Sequence, residues 1–433
     1  MTRWDHDSAM SRRLLADTRP LRNVHFRRLW TSGIITMIGA QLTVVAVPAQ
    51  IYAITGSSAY VGLTGVFGLV PLVVFGLWGG ALADHFDRRT LLRVTTVGLI
   101  GTSALFWAQA AAGLDDVWLL LCLFSVQQAF FAVNSPTRNA VLPKILDEEL
   151  LPAANSLTMT VFQAGAIAGP MVGGALIPVL GFSWLYLADT LFLFATLWAV
   201  VQLPPLPIEE RGHRTPGLRS VAEGFAYLRT QPVLMMSFVV DLIAMVFGMP
   251  RALFPEIAHV AFHGPPAGGL AFALLFAAIP AGAVVGGVLS GWVSGVERQG
   301  LAVVVCIAVW GVAVTGFGLA VALADLAPTT MLVLAVAMLM VGGAADMASA
   351  AFRMSMLQHA ASDAVRGRLQ GIFIVVVAGG PRVADVAHGA SAAMVGTAAT
   401  AAGGGVLVVV GVVLAALVVP AFVRYRVTRG ATR

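Results

Sequence analysis

Four aspartates interrupt long apolar runs of this chain, namely Asp189, Asp241, Asp346 and Asp385. A charged side chain at such a position costs roughly 2.5 to 3.5 kcal/mol to insert into a membrane, so it is a functional candidate by default. A carboxyl group kept away from water and from cations can exchange protons near neutral pH. Asp241 leads, because it lies about ten residues into its run and has no basic residue within one helical turn. Asp346 comes next.

A second group of ionisable residues, Arg382, Asp385 and His388, is spaced three positions apart in one run. On a helix, neighbours at this spacing lie within pairing reach. Two interpretations stay open. One is a structural ion pair that neutralises Arg382, and the other is a functional site.

Arg251 and Glu256 stand toward the end of another run, together with Pro250 and Pro255. Proline removes a backbone donor, so this run should break or kink there. A local salt bridge between Arg251 and Glu256 is the favoured interpretation, and an outer gate is the alternative.

Composition defines the class of protein. Of the 433 residues, 58% are apolar and 11% are charged, which excludes an ordinary soluble protein and predicts a polytopic membrane protein. A membrane barrel would show short alternating segments instead, so the spans are expected to be helices. The sequence contains no nucleotide-binding loop and no nucleophile motif that would indicate an enzyme. His85, His259 and His263 have no metal-ligand spacing, so neither a metal nor a cofactor is expected.

Twelve apolar runs have the length of about 20 residues that crossing a bilayer requires. Six precede and six follow a polar segment. The expected organisation is a tail (1–28), a six-helix bundle (29–203), a linker (204–230), a second bundle (231–423) and a second tail (424–433). Part of the linker, 219–229, is either an amphipathic interfacial helix or a solvated connector. The expected spans are 29–54, 60–83, 91–111, 117–138, 152–178, 183–202, 232–260, 269–290, 300–323, 329–352, 369–395 and 402–423.

The distribution of basic residues orients these spans. Of the 26 lysines and arginines, all but Arg251 and Arg382 fall in or beside the tails, the linker and the even-numbered loops. Basic residues mark the cytoplasmic side, which predicts an inner-membrane protein with both termini cytoplasmic. The net charge of +5 reflects this topology rather than a nucleic-acid partner.

The loop between the second and third spans carries Gly80, Asp84, Arg88 and Arg89. An acid followed by paired arginines, beside a glycine-rich helix end, can bridge two helices on the cytoplasmic side. This pattern closely resembles the corresponding loop of the major facilitator superfamily, the large class of twelve-helix secondary transporters.

The resemblance departs at His85, where the family prefers arginine or lysine, and at Asp87, where it prefers glycine. It implies an all-α membrane protein of two pseudo-symmetric six-helix bundles. It also implies a cytoplasmic latch in which Asp84 is attracted to the start of the eleventh helix beside Arg366 and Arg368. That contact would close the cytoplasmic side when the cavity opens outward.

In this superfamily the first, fourth, seventh and tenth helices line a central cavity, so Asp241 and Asp346 are expected there, with Arg382 as a further candidate. Such a cavity suits an amphipathic molecule better than a sugar or an inorganic anion. Packing of glutamines against neighbouring helices is the alternative. The uncharged cavity candidates are Gln41, Gln50, Gln127, Gln128 and Asn134.

An internal repeat supports two related bundles, since Arg138 precedes Asn155 by the same 17 positions that separate Arg353 from Gln370. In the fifth span, small residues and a proline either serve ordinary helix packing or form a motif that resembles those of exporters in the superfamily. That motif consists of Gly165, Gly169, Pro170, Gly173 and Gly174.

Segments 351–353, 366–371 and 379–385 resemble the exporter branch of the superfamily that includes siderophore exporters. The hypothesis is a monomeric, proton-coupled exporter of an amphipathic small molecule, either a siderophore or a hydrophobic drug. The alternatives are a metabolite importer or facilitator, and a non-transporting membrane receptor or scaffold.

Overall fold

Long apolar runs become helices because lipid offers no hydrogen-bond partner, so every backbone N–H and C=O must be satisfied within the segment. The computed structural model describes residues 17–204, 226–360 and 363–426, and the side chains of residues 77–85, 294, 359–375 and 377–378 lie outside that description. The long helices are α1 (Val24–Thr55), α2 (Ser58–His85), α3 (Arg88–Ala111), α4 (Val117–Ile145), α5 and α6 (together Leu151–Val201), α7 (Pro232–Gly248), α8 (Leu270–Val288), α9 (Gln299–Ala322), α10 (Pro328–Ala360), α11 (Asp363–Val395) and α12 (Thr397–Val418).

Gly181 separates α5 from α6, because its φ of 78° interrupts the helix in a region that glycine adopts readily. In the described part of the chain, ten helices are long and apolar enough to cross a membrane, with Leu151–Val201 counted once. Dividing that helix at Gly181 and adding the 33-residue α11 gives six helices on each side of the linker. The predicted all-helical membrane fold is confirmed, and the count of twelve depends on these two steps.

The helices extend beyond several predicted spans. α1 begins at Val24 because the Asn23 side chain accepts hydrogen bonds from the backbone N–H groups of His25 and Phe26. α3 begins at Arg88, where the Asp87 side chain accepts from the N–H of Thr90. Asp87, the residue that departs from the family pattern, is therefore a helix cap.

The predicted break in the seventh span is confirmed. α7 ends at Gly248, and the chain resumes after Pro250 with short helical turns up to residue 261. Proline cannot donate a backbone hydrogen bond, so the helix loses support at this point. One turn before the break, Trp310 Nε1 of α9 donates to Ala244 O at 3.2 Å.

Both described chain ends lie at the same end of the bundle, because an even number of helices alternates in direction. This end, which holds residues 19–22 and 424–426, is termed the terminal end, and the opposite one is the far end. Residues 17–204 form the first half and residues 226–426 form the second half.

Two pairs of helices join the halves toward the far end. Gly62 of α2 lies against α11, where an added Cβ would come within 2.6 Å of Asp385 O. Gly174 of α5 lies against α8, where an added Cβ would be 2.8 Å from Ala273 Cβ, and Gly269 N donates to Gly174 O at 2.8 Å. The missing side chains let these backbones approach closely.

Nearer the terminal end, the same helices pack within their own halves. Gly165 of α5 faces Met37 of α1, and Gly286 of α8 faces Ala344 of α10. In the described part of the chain, the close glycine contacts between the halves thus lie toward the far end.

The contact at Gly62 generates a matched test on one helix. Gly62→Ala should lower the thermal unfolding temperature in detergent by several degrees, because the new methyl group meets the backbone of α11. Gly76→Ala should leave that temperature unchanged or raise it, since no described atom lies within 4 Å of its added Cβ and alanine favours helix by ~1 kcal/mol. Equal effects of the two changes would contradict the close approach of α2 and α11.

Candidate functional site

An ion pair joins α7 to α10 inside the second half. Asp241, 1% exposed, pairs with Arg353, 4% exposed. The sequence favoured Asp241 because it has no basic neighbour within one helical turn. In the folded structure that reason is wrong, because α10 supplies Arg353. A void of about 10 Å³, room for about one water molecule, adjoins the pair on the side of Leu234 and Leu357.

Asp346 shares the same arginine. Its Oδ1 lies 3.8 Å from Arg353 Nη2, and its side chain is 27% exposed. Asp346 and Arg353 are seven residues apart, about two turns of α10, so they lie on one face. Two carboxylates thus share one guanidinium, and the partly exposed Asp346 is the one that solvent can reach.

Arg382 of α11 reaches across to the first half. Its Nη2 donates to Gln128 Oε1 of α4 at 3.2 Å, and its guanidinium carbon lies 5.2 Å from the centre of the Phe124 ring. Gly68 of α2 makes room for it, because an added Cβ would lie 3.0 Å from that carbon. Arg382 and Gln128, both predicted at the cavity, are therefore brought together between the halves.

The predicted ion pair between Arg382 and Asp385 is not found among the described residues. Asp385 is buried at 8% exposure without a cation within 4 Å, although the two charges still attract each other. His388 faces two carbonyls instead, since its Nδ1 lies 3.1 Å from Ala384 O and its Nε2 lies 3.1 Å from Phe247 O. His388 thus ties α11 to the broken end of α7.

The favoured salt bridge between Arg251 and Glu256 is also not formed in the described part of the chain. Glu256 Oε2 accepts from the backbone N–H of Ser58 at 3.0 Å, which links the second half to the start of α2. Arg251 is exposed, and its charge interacts with those of Asp385 and Asp346. Arg251 therefore belongs to the electrostatic surroundings of the central cavity.

Asp189 lies apart from these charges, inside the first half. Its Oδ2 accepts from Thr43 Oγ1 of α1 at 2.8 Å and from Ser103 Oγ of α3 at 2.9 Å. The carboxyl group is 2% exposed and joins α1, α3 and α6 through hydroxyl donors. This placement favours a structural role for Asp189, and its candidacy as a proton carrier stays a prediction.

Two of the uncharged cavity candidates serve helix packing instead. Gln50 exchanges amide hydrogen bonds with Gln109 and accepts one from the Tyr186 hydroxyl. Asn134 donates to Thr95 and Thr96 of α3. These networks are buried within the first half, so the alternative interpretation holds for both residues.

Gln41 packs against Gly169 of α5, and Gln127 is half-buried. In the fifth-helix motif, Gly165 and Gly173 also face α1, whereas Gly174 faces the second half. Pro170 is buried in the same helix. The motif therefore packs one face on α1, and its link with export stays a prediction.

The basic pair of the predicted latch bonds within the first half. Arg88 Nη1 donates to Ala140 O of α4 at 3.1 Å, and Arg89 Nη2 donates to Val201 O of α6 at 2.6 Å. Val201 is the last residue of α6, so Arg89 satisfies a carbonyl that this helix leaves free. The side chains of the other latch candidates lie outside the described residues. These are Gly80, Asp84, Arg366 and Arg368.

Arg353 is the site residue that sequence reasoning did not select, because it was assigned to the border of a cytoplasmic loop. The signal was its place in the internal repeat. Arg138 occupies the matching place in α4, where its Nη2 donates to Leu29 O of α1 at 2.8 Å. Both arginines reach the first helix of their own half, and only Arg353 finds a carboxylate there.

Comparisons with known proteins agree with this architecture. The chain matches the family model of transmembrane secretion effectors over residues 16–426. The enterobactin exporter EntS of Shigella boydii is 28% identical over 405 residues, covering 93% of this chain and 94% of that protein. A bacterial homologue of the lysosomal transporter Spinster, solved in an inward-facing, unoccupied conformation, has a TM-score of 0.68 at 16% identity and covers 96% of this chain and 100% of its own. A D-xylose–proton symporter has a TM-score of 0.69 at 12% identity, with coverage of 91% and 97%.

The fold and the family match define a secondary transporter of the major facilitator type rather than an enzyme. The chain belongs to the transmembrane secretion effector family of that superfamily and is similar to EntS.

The shared arginine predicts unequal effects of removing its partners. Arg353→Gln should destabilise the chain by ~3–5 kcal/mol, because it leaves Asp241 buried and unpaired beside a second carboxylate. Asp241→Asn should cost less, since Arg353 keeps Asp346 within reach. The double mutant should recover part of the loss of Arg353→Gln, as measured by unfolding in mixed micelles. The control cycle of Arg382→Gln and Asp385→Asn should show much weaker coupling. Equal coupling in both cycles would contradict the assignment of the ion pair.

Proposed function

We propose that the chain is a proton-coupled exporter of an amphipathic small molecule in the inner membrane. Its two bundles, 29–203 and 231–423, would expose the cavity alternately to the two sides. The observation that carries the proposal is the shared arginine, where buried Asp241 and partly exposed Asp346 compete for Arg353.

Two carboxylates and one guanidinium in contact carry a net charge of −1 when all are ionised. A proton taken up by Asp346 cancels that charge, and a low-dielectric interior favours the neutral set. Asp346 is therefore the group proposed to load and release the proton, while Asp241 holds Arg353 in place.

Export as the direction of transport is supported by the name of the relative, an enterobactin exporter, and by the secretion-effector family. The fifth-helix motif is of the type found in exporters. A siderophore or a hydrophobic drug is the proposed cargo, because the helices expected to line the cavity carry mostly apolar side chains with few polar groups.

The distribution of basic residues assigns the terminal end to the cytoplasm, with both termini inside. Under that assignment the far end is the outer side, so its closure by α2 with α11 and by α5 with α8 corresponds to an inward-facing state. The latch of Gly80, Asp84, Arg366 and Arg368 is proposed to form in the opposite state, when the terminal end closes.

Everted membrane vesicles test the proposal directly. Labelled enterobactin, or a labelled hydrophobic drug as the alternative, should accumulate inside them when their interior is acidic, and a protonophore should abolish the accumulation. Accumulation in right-side-out vesicles alone would indicate an importer. If no compound moves, and if adding a compound does not collapse the proton gradient, the result would indicate a non-transporting receptor or scaffold.

Asp346→Asn should abolish accumulation driven by the gradient and preserve exchange of labelled for unlabelled compound. The neutral amide cannot carry the proton, whereas the cavity itself is retained. Asp325→Asn, an exposed acid in the same half, is the control and should transport like the parent. Full gradient-driven accumulation in Asp346→Asn would remove Asp346 from the coupling mechanism.

A further inference from the structure

The interactions of Arg382 are weak for a charge that lies so deep in the protein. It lies 13 residues from the end of α11, or ~20 Å at helical rise, which is near the middle of a bilayer. Among the described residues, its guanidinium donates one hydrogen bond, to the neutral amide of Gln128, and it has no carboxylate within 4 Å. A guanidinium has five N–H donors. Counting only the described residues, most of these donors remain available to a ligand.

The charges near Arg382 are of both signs. Asp385 lies three positions along the same helix and attracts it, and the charge of Arg251 repels it less strongly. Arg382, Arg251 and Asp385 together carry +1, whereas the set of Asp241, Asp346 and Arg353 carries −1. Arg251 is exposed and Arg382 is half-buried, so an incoming anion would meet two guanidinium groups and one carboxylate. Arginine is suited to this task, since its planar fork matches the two oxygens of a carboxylate or a similar anion.

The ring of Phe124 adds an apolar surface directly beside the guanidinium. An aromatic or aliphatic body attached to the anionic group would pack there while the fork binds the oxygens. Gly68 leaves room for the guanidinium itself, because a side chain there would meet it. The site thus fits an amphipathic anion, whereas a lipophilic cation would meet like charge.

We propose that Arg382 binds an anionic oxygen group of the transported molecule, so that this transporter selects amphipathic organic anions. The inference rests on the proposed function in that the bound molecule is the cargo. Arg382 makes one hydrogen bond to Gln128 across the halves, and the anion replaces Gln128 as the partner. Binding therefore releases a tie between α11 and α4 and loosens the closure between the halves.

Equilibrium binding to the purified chain in lipid nanodiscs, without a proton gradient, tests the proposal. The probes are 4-biphenylcarboxylate and its neutral amide, 4-biphenylcarboxamide, which share one aromatic body, and empty nanodiscs give the background. At pH 7.5 the parent should bind the carboxylate at least about 10-fold more tightly than the amide, as expected for a charge-assisted pair. Arg382→Gln should reduce that preference to within about 2-fold.

Gln128→Ala separates ligand binding from structural support. It breaks the same tie between the halves but leaves the arginine free, so it should keep or increase the preference for the carboxylate. Loss of the preference in Gln128→Ala as well as in Arg382→Gln would show that Arg382 acts only by holding the halves together, and it would overturn the proposal. So would a parent chain that binds both probes equally.

Arg251→Gln provides a second variant where Arg382→Gln does not fold. It removes the neighbouring positive charge without altering the bond to Gln128, and it should lower the preference about threefold. An unchanged preference would contradict the role of the paired arginines. A chain that prefers the carboxylate but moves no compound in vesicles would refute the proposed transport and leave this site standing. A chain that transports without the preference would refute this inference alone.

Discussion

A charge inside a membrane protein must find a partner, because neither lipid nor a dry interior solvates it. This constraint shapes the second half of the transporter. Asp241 and Arg353 neutralise each other between α7 and α10, and Asp346 competes for the same guanidinium from a partly exposed position. The pair holds two of the helices expected to line the cavity at a fixed distance. The unequal exposure of the two acids is what makes one of them available for exchange with solvent.

The first half meets the same constraint with neutral groups. Asp189 is surrounded by hydroxyl donors, and Gln50 is satisfied by another amide and a phenol. Arg138, at the place that Arg353 occupies in the repeat, is satisfied by a backbone carbonyl. The two halves therefore share helix order and packing but differ in electrostatics. The second half therefore holds the acids proposed to exchange protons.

Close contact between the halves depends on residues with little or no side chain. The glycines of α2 and α5 let α11 and α8 approach where the halves meet, and the same glycine-rich helix α5 packs on α1 farther along. Contacts of this kind are held by van der Waals packing and backbone hydrogen bonds rather than by buried charge. Separating these glycine contacts exposes no unpaired ion, which suits the alternating access proposed for the two halves. Two polar side-chain contacts also cross this interface in the described part of the chain, Arg382 with Gln128 and Glu256 with the backbone N–H of Ser58.

The amino-acid sequence by itself determined the class of protein, the helices and the break in the seventh span. The length of an apolar run and the missing backbone donor of proline are local properties. Spans and helix breaks can therefore be predicted without knowing which helices pack together. The loop motif, read by resemblance, indicated the superfamily. Helix ends were less accurate, since capping by Asn23 and Asp87 extends helices beyond the apolar runs.

Only the tertiary structure decided which side chains meet. Asp241 looked unpaired because its partner, Arg353, lies 112 positions away on another helix, whereas Arg382 and Asp385 looked paired because they are close in sequence. Asn134 was expected at the cavity, but it turns toward α3. Helical periodicity tells which residues share a face, yet the rotation of each helix in the bundle decides what that face contacts. That rotation results from the packing of all the helices together, and so the site could be read only after the bundle was assembled.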